Sequence, residues 1–190
     1  MASPAVPRLL TAEEFLHLPE PIEGGKMELD RGRVVCMSPV GLEHGEIAGT
    51  LWGALSAFVK PRRLGSVSVE TGFKLAEDPD IVRAPDVSFV AADRRPTGAG
   101  RRGFVEGAPD LAVEVMSADD REKDLLAKAG EYLDAGAARV WIVRPGTRTV
   151  TVFRAGGEVA TRHEAETLTS DDAGFSAEGF SLDVASIFAE

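Results

Sequence analysis

Glu114 stands inside the most apolar stretch of the chain, between Val113 and Val115. Asp86 opens a second apolar stretch, followed by Val87, Phe89 and Val90. An ionised carboxylate in such a strand is costly unless a cation or hydrogen-bond donors compensate it. A divalent metal is one compensation, since Mg²⁺ takes one or two carboxylates and fills its shell with water and phosphate oxygens. A buried structural ion pair is the other, and the residues alone leave the two open. Asp110 lies on the strand and face of Glu114, but four residues along a strand span about 13 Å. Asp86, on a different strand, can lie about 5 Å to the side of Glu114. The pair Asp86 and Glu114 is therefore preferred, and Asp110 reads as a strand-start or turn residue.

A hydrolytic metal site gains from a cation that orients water and stabilises charge in the transition state. Two lysines follow Glu114 on a helical stretch whose apolar stripe is Leu125, Ala129, Tyr132 and Leu133. At 100° per residue Lys128 falls at the border of that stripe, on the Tyr132 side, and Lys123 falls nearly opposite. Lys128 can look back at a sheet; its bland alternative is a snorkelling surface lysine. Glu28, between Met27 and Leu29, is either a third carboxylate of the site or an exposed strand residue. His44 caps a helix or reaches the site. Ser117 and Cys36 show no base partner for nucleophilic catalysis. Gly98-Ala-Gly-Arg-Arg-Gly103 matches a dinucleotide fingerprint, but it follows Pro96 rather than a strand and no helix continues from it. No nucleotide cofactor is expected, and the segment reads as a mobile basic loop.

These residues need elements to hold them. Thr11-Ala-Glu-Glu14 is a capping box for a short helix stopped by Pro19 and Pro21. Residues 26–30 and 33–38 form a hairpin around Arg31-Gly32. Apolar spacing predicts a helix over 45–60, ended by Pro61. Strands follow at 66–75, 86–91 and 110–117, then a helix over 119–135 with Gly136 behind it. Strands at 139–143, 149–154 and 158–164 precede a last short helix within 182–188. Grouped strands with helices between the groups indicate a mixed α/β (α+β) layer fold.

The chain has 190 residues and a formal charge of −10. That size suits one domain over 1–190, with 1–10 as a flexible start and 155–190 as an acidic extension of the same domain. Residues 155–190 hold eight acids and one Arg, −7 of the total, so the remainder is near neutral. The charge excludes a strongly basic nucleic-acid coat protein and leaves a nuclease open. No apolar run suits a membrane span or a signal peptide. One cysteine gives no disulfide and no cysteine zinc site, and a cytoplasmic setting is the plain reading.

The ordered set of motifs is specific although each is weak alone. It runs Met27-Glu28-Leu-Asp-Arg-Gly32, Ser38-Pro39 with His44, Val82-Arg-Ala-Pro-Asp86-Val-Ser-Phe-Val90 and Pro109-Asp-Leu-Ala-Val-Glu114-Val-Met-Ser117. Asp124, Lys128 to Tyr132, Gly136, Val140-Trp-Ile-Val143 and Pro145 complete it. Over roughly Thr11 to Arg154 this resembles the bacterial Uma-type restriction endonuclease-like family, placed in the PD-(D/E)XK nuclease superfamily. The resemblance implies a restriction endonuclease-like core, a central mixed β-sheet flanked by helices. It implies that Asp86 and Glu114 bind Mg²⁺ or Mn²⁺, that Glu28 is an auxiliary acid and that Lys128 is the catalytic lysine. Superfamily members place that lysine two residues after the glutamate, where this chain has Met116. The expected function is a metal-dependent endonuclease, a hydrolase of DNA phosphodiester bonds, acting as a homodimer. Arg83, Arg94, Arg95, Arg101 and Arg102 would approach the phosphate backbone. The alternative is an inactive nuclease fold that binds nucleic acid or a protein.

Overall fold

A computed structural model describes residues 8–19, 25–118 and 120–189. The first seven residues of the expected flexible start, and Asp119 at the expected start of the second long helix, lie outside them. The capping box forms as the sequence requires. Thr11 accepts from the Glu14 N–H and Glu14 accepts from the Thr11 N–H, opening α1 (Ala12–Leu16). The hairpin β1 (Lys26–Asp30) and β2 (Arg33–Met37) follows, then the long helix α2 (Leu42–Arg62). Helix α2 begins three residues before the predicted start and runs one residue past Pro61.

One predicted strand proves to be two. Residues 66–75 divide into β3 (Gly65–Val69) and β4 (Phe73–Ala76), which belong to different sheets. Glu70 takes a left-handed conformation (φ 47°) at the break. Gly72 is approached by the Phe104 ring so closely that a Cβ there would lie 2.4 Å from it. Short strands β5 (Ile81–Arg83), β6 (Val87–Ala91) and β7 (Val105–Glu106) come next, then β8 (Leu111–Val115) and α3 (Glu122–Asp134). The chain closes with β9 (Arg139–Arg144), β10 (Thr149–Arg154), β11 (Val159–Arg162), β12 (Thr167–Thr169), α4 (Ser170–Ala173), β13 (Ser181–Asp183) and α5 (Val184–Ile187).

The central sheet is mixed, in the order β11-β10-β9-β8-β6-β3, with β8 and β9 parallel across the α3 connection. A second sheet, β2-β1-β5-β4-β7, lies beside it. Strand β8 is buried throughout and alternates between two cores. Leu111, Val113 and Val115 join Ile47, Leu51, Leu55 and Val59 of α2. Ala112 joins Leu125, Ala129 and Tyr132 of α3. Period two therefore turns Glu114 to the α3 side. The acidic C-terminal stretch completes the first core, because Leu168, Ala173, Phe175, Phe180, Leu182, Val184 and Ile187 all belong to it.

Gly65 shows how tightly β3 meets β6. A Cβ there would lie 2.1 Å from the Val90 carbonyl oxygen and 2.9 Å from the Phe89 ring. Backbone cannot swing aside as a flexible side chain can, so Gly65→Ala is expected to cost about 1–3 kcal/mol. Thermal unfolding checks this, and a loss below about 0.5 kcal/mol, the usual surface value, would contradict it.

Candidate functional site

The β6–β8 register places the two carboxylates. Val87 pairs with Val113 and Ser88 with Ala112 in an antiparallel ladder. One further step sets Asp86 opposite Glu114, and opposite residues of such a ladder share a face at a Cα separation of about 4.5–5.5 Å. The Val115 N–H donates to Asp86 Oδ2 at 2.7 Å and His44 Nε2 lies 3.3 Å from the same oxygen. The Lys26 ammonium is 3.5 Å from Asp86 Oδ1. Burial raises the Asp86 carboxyl, but His44, Lys26 and the Val115 N–H outweigh it and hold it below its ordinary value. The same Asp86 contact holds the His44 imidazole above its own.

Glu114 is buried and accepts from the Tyr132 hydroxyl at 2.8 Å on Oε1. Lys128 Nζ is 4.0 Å from Oε2. Burial pushes the Glu114 carboxyl up to about 7; Asp86 and Glu28 add to that, while Lys128 and Lys26 oppose it. Burial also works against the Lys128 charge, but Glu114 and Glu28 overcome it and keep the ammonium above its usual range. Met116 packs against the α3 core, so the position two after Glu114 is apolar and the nearby ammonium is that of Lys128.

Glu28 is 1% exposed. Its Oε1 accepts from the Ala84 N–H at 3.2 Å. Its Oε2 accepts from Arg83 at 3.2 Å and stands 3.0 Å from Lys128 Nζ. Lys26 Nζ is 3.9 Å from Oε1. The antiparallel pairing of Leu29 with Val82 explains this, since one step back along β1 and one step forward along β5 sets Glu28 opposite Arg83. Both carboxylate oxygens are thus occupied by protein donors, and Glu28 holds the two lysines in place.

The structure brings Asp86, Glu114 and Lys128 together on the lining of one cleft, with Glu28 buried behind Lys128, and places none of the five arginines on that lining. Arg83 is buried and bound to Glu28, Asp30 and Glu131, which corrects its assignment to the phosphate backbone. The three acids occupy its guanidinium and leave it little of the solvent exposure a phosphate contact needs. Arg94 bonds to Asp110 and to the Ala108 carbonyl. Arg95, Arg101 and Arg102 are exposed on the same segment, and none of these arginines lines the cleft. Lys26 escaped the sequence reading. Its signal was the alternation that puts Lys26 and Glu28 on one strand face.

The donor set fits a hard divalent ion. Asp86 Oδ1 and Glu114 Oε2 have the Lys26 and Lys128 ammonium groups beside them, at 3.5 and 4.0 Å, and accept no hydrogen bond from the described residues. Among the described residues no cluster of three or more ligating side chains occurs. Two carboxylates with the rest of the shell from water and phosphate oxygens is the habit of Mg²⁺. The cleft they line is about 700 Å³.

The sequence model of the Uma2 family, described as putative restriction endonuclease, matches residues 12–185. Among solved structures, a putative nuclease belonging to DUF820 from Anabaena variabilis ATCC 29413 is similar with a TM-score of 0.76. The two are 23% identical, with 94% of this chain and 97% of that chain covered, a likeness of fold. No curated protein matches the chain.

Proposed function

The chain belongs to the Uma2 family of putative restriction endonucleases, and on that premise we propose that it is a metal-dependent nuclease hydrolysing phosphodiester bonds in DNA. The observation that carries this is the placement of Asp86 and Glu114 on one strand-pair face with the Lys26 and Lys128 ammonium groups beside them. Asp86 and Glu114 would hold Mg²⁺ or Mn²⁺. Such an ion polarises the phosphoryl oxygen and acidifies bound water.

The protein's own groups position the rest. The Val115 N–H and His44 fix Asp86, and the Tyr132 hydroxyl fixes Glu114. Lys128 and Lys26 supply positive charge where negative charge grows on the phosphoryl oxygens, and fixed cations need no reorganisation at that moment. Glu28, itself tied to Ala84 and Arg83, keeps the two ammonium groups from swinging to solvent. All these residues come from one chain, so the homodimer implied by the resemblance is not needed to complete the centre. No described helix is long and apolar enough to cross a membrane.

The test is cleavage of labelled DNA with Mg²⁺ or Mn²⁺. Lys128→Met is expected to lower the single-turnover rate by roughly 10²-fold, the usual effect of removing one preorganised donor. Glu28→Gln, acting only through the lysines, is expected to lower it by about 10-fold or more. Absence of cleavage with either metal, or a Lys128→Met rate equal to wild type, overturns the reading. DNA binding without cleavage would favour a binding module.

A further inference from the structure

The exposed charged residues that line the cleft are both acids. About 700 Å³ is the size of a site that encloses one small molecule or a nucleotide or two. The cations lining it are the ammonium groups of Lys26 and Lys128, each already beside a carboxylate. At the mouth Glu70 and Asp120 line the cleft and are exposed. Glu43 is exposed beside the lining residue His44 on the first turn of α2. Glu122 and Asp124 follow Asp120. Against these acids the same segments carry Arg121 and Lys123, and Arg144 pairs with Glu122. One lip is apolar instead, with Val40 52% and Leu42 79% exposed.

A duplex carries one charge per about 1.7 Å of axis and is held chiefly by lysines and arginines on its phosphates. With one phosphate at Asp86 and Glu114, its neighbours would fall on the acidic mouth. Of the arginine segment, Arg94 is already engaged. Arg94 is bound to Asp110, which lies four residues and about 13 Å along the strand from Glu114. A single strand has half the charge along its length and bends. It can pass one phosphodiester into the cleft and lay a base against Val40 and Leu42, as apolar side chains receive extruded bases.

We infer that the cleft takes a flexible single strand of DNA in preference to a duplex. The inference rests on the nuclease reading above but is separable from it. The same labelled 20-mer, alone and annealed to its complement, is to be cleaved under single-turnover conditions with Mn²⁺. The single strand is expected to be cut at least about tenfold faster, a difference of 1.4 kcal/mol in barrier. In the mouth variant Glu70→Lys, duplex cleavage rises and the ratio narrows severalfold. Equal or faster duplex cleavage by the wild type, or a ratio unchanged in the variant, overturns the inference. Fluorescence anisotropy on the same two substrates covers the case of no cleavage. Tighter binding of the single strand then sustains the substrate class while the nuclease reading falls; equal binding, or none, overturns both.

Discussion

Asp86→Asn is expected to lower the cleavage rate by roughly 10³-fold, the equivalent of about 4 kcal/mol of transition-state stabilisation. The amide oxygen can still accept from the Val115 N–H, which Asp86 Oδ2 does at 2.7 Å, so the strand junction survives. What is lost is the anionic oxygen pair shared with Glu114. Glu114→Gln is expected to act alike, since its oxygen still accepts from Tyr132. The effects should be far from additive, because two ligands of one ion act as a unit. Calorimetric titration with Mn²⁺ gives a second readout: binding seen in wild type should vanish in both variants while their melting temperatures stay within a few degrees. A variant that retains both Mn²⁺ binding and cleavage would remove Asp86 from the proposed centre.

Asp172→Ala is expected to be the most destabilising single change away from the cleft. Asp172 is fully buried. It accepts from Arg154 at 2.8 Å and from Arg162 at 2.9 and 3.1 Å, and it closes the capping box of α4 with Thr169. Its carbonyl accepts from the Trp141 indole at 2.7 Å. Arg154 is only 7% exposed, so removing the acid leaves a buried guanidinium with exposed Asp171 and Glu158 as its remaining partners. Breaking a buried pair from one side costs about 3–5 kcal/mol. In a chain of this size that is a fall of roughly 6–20 °C in melting temperature.

The pH dependence has a definite sign. Burial raises the Asp172 carboxyl, but the Arg162 hydrogen bonds and the Thr169 N–H outweigh it, so the folded value lies below the ordinary one. A depressed carboxyl contributes stability that is complete above the unfolded pKa and is lost as pH falls through the folded one. The gap between wild type and Asp172→Ala should therefore be full at pH 7 and shrink below about pH 4. A variant that unfolds within about 1 kcal/mol of wild type at pH 7 would show that α4 is held by its apolar contacts alone.

Short-range signals in the sequence were read correctly. The Thr11–Glu14 capping box, the hairpin expected over 26–30 and 33–38 and formed over 26–30 and 33–37, and the 149–154 strand depend on neighbours within a few residues. The helical wheel that put Lys128 at the border of the α3 stripe also holds, because an α-helix sets that angle whatever lies beyond it. The break of 66–75 was not legible, since the Phe104 ring that packs against Gly72 there comes from more than thirty residues away. Nor was the role of Arg83. An arginine between Val82 and Ala84 is locally indistinguishable from a surface one, and its acids lie 55 and 48 residues away.

The amino-acid order alone determined the family resemblance, the mixed layer fold and the carboxylates that would meet, because those rest on local periodicity and on an acid placed in an apolar strand. Only the tertiary structure decided what surrounds them. It set the register that brings Asp86 opposite Glu114 and turned Glu28 into the holder of two lysines. It drew Lys26 into the cleft and left the arginine segment at the other end of β8. Those outcomes depend on strand pairing and ion pairs between distant residues, where Coulomb energy follows distance in space rather than along the chain.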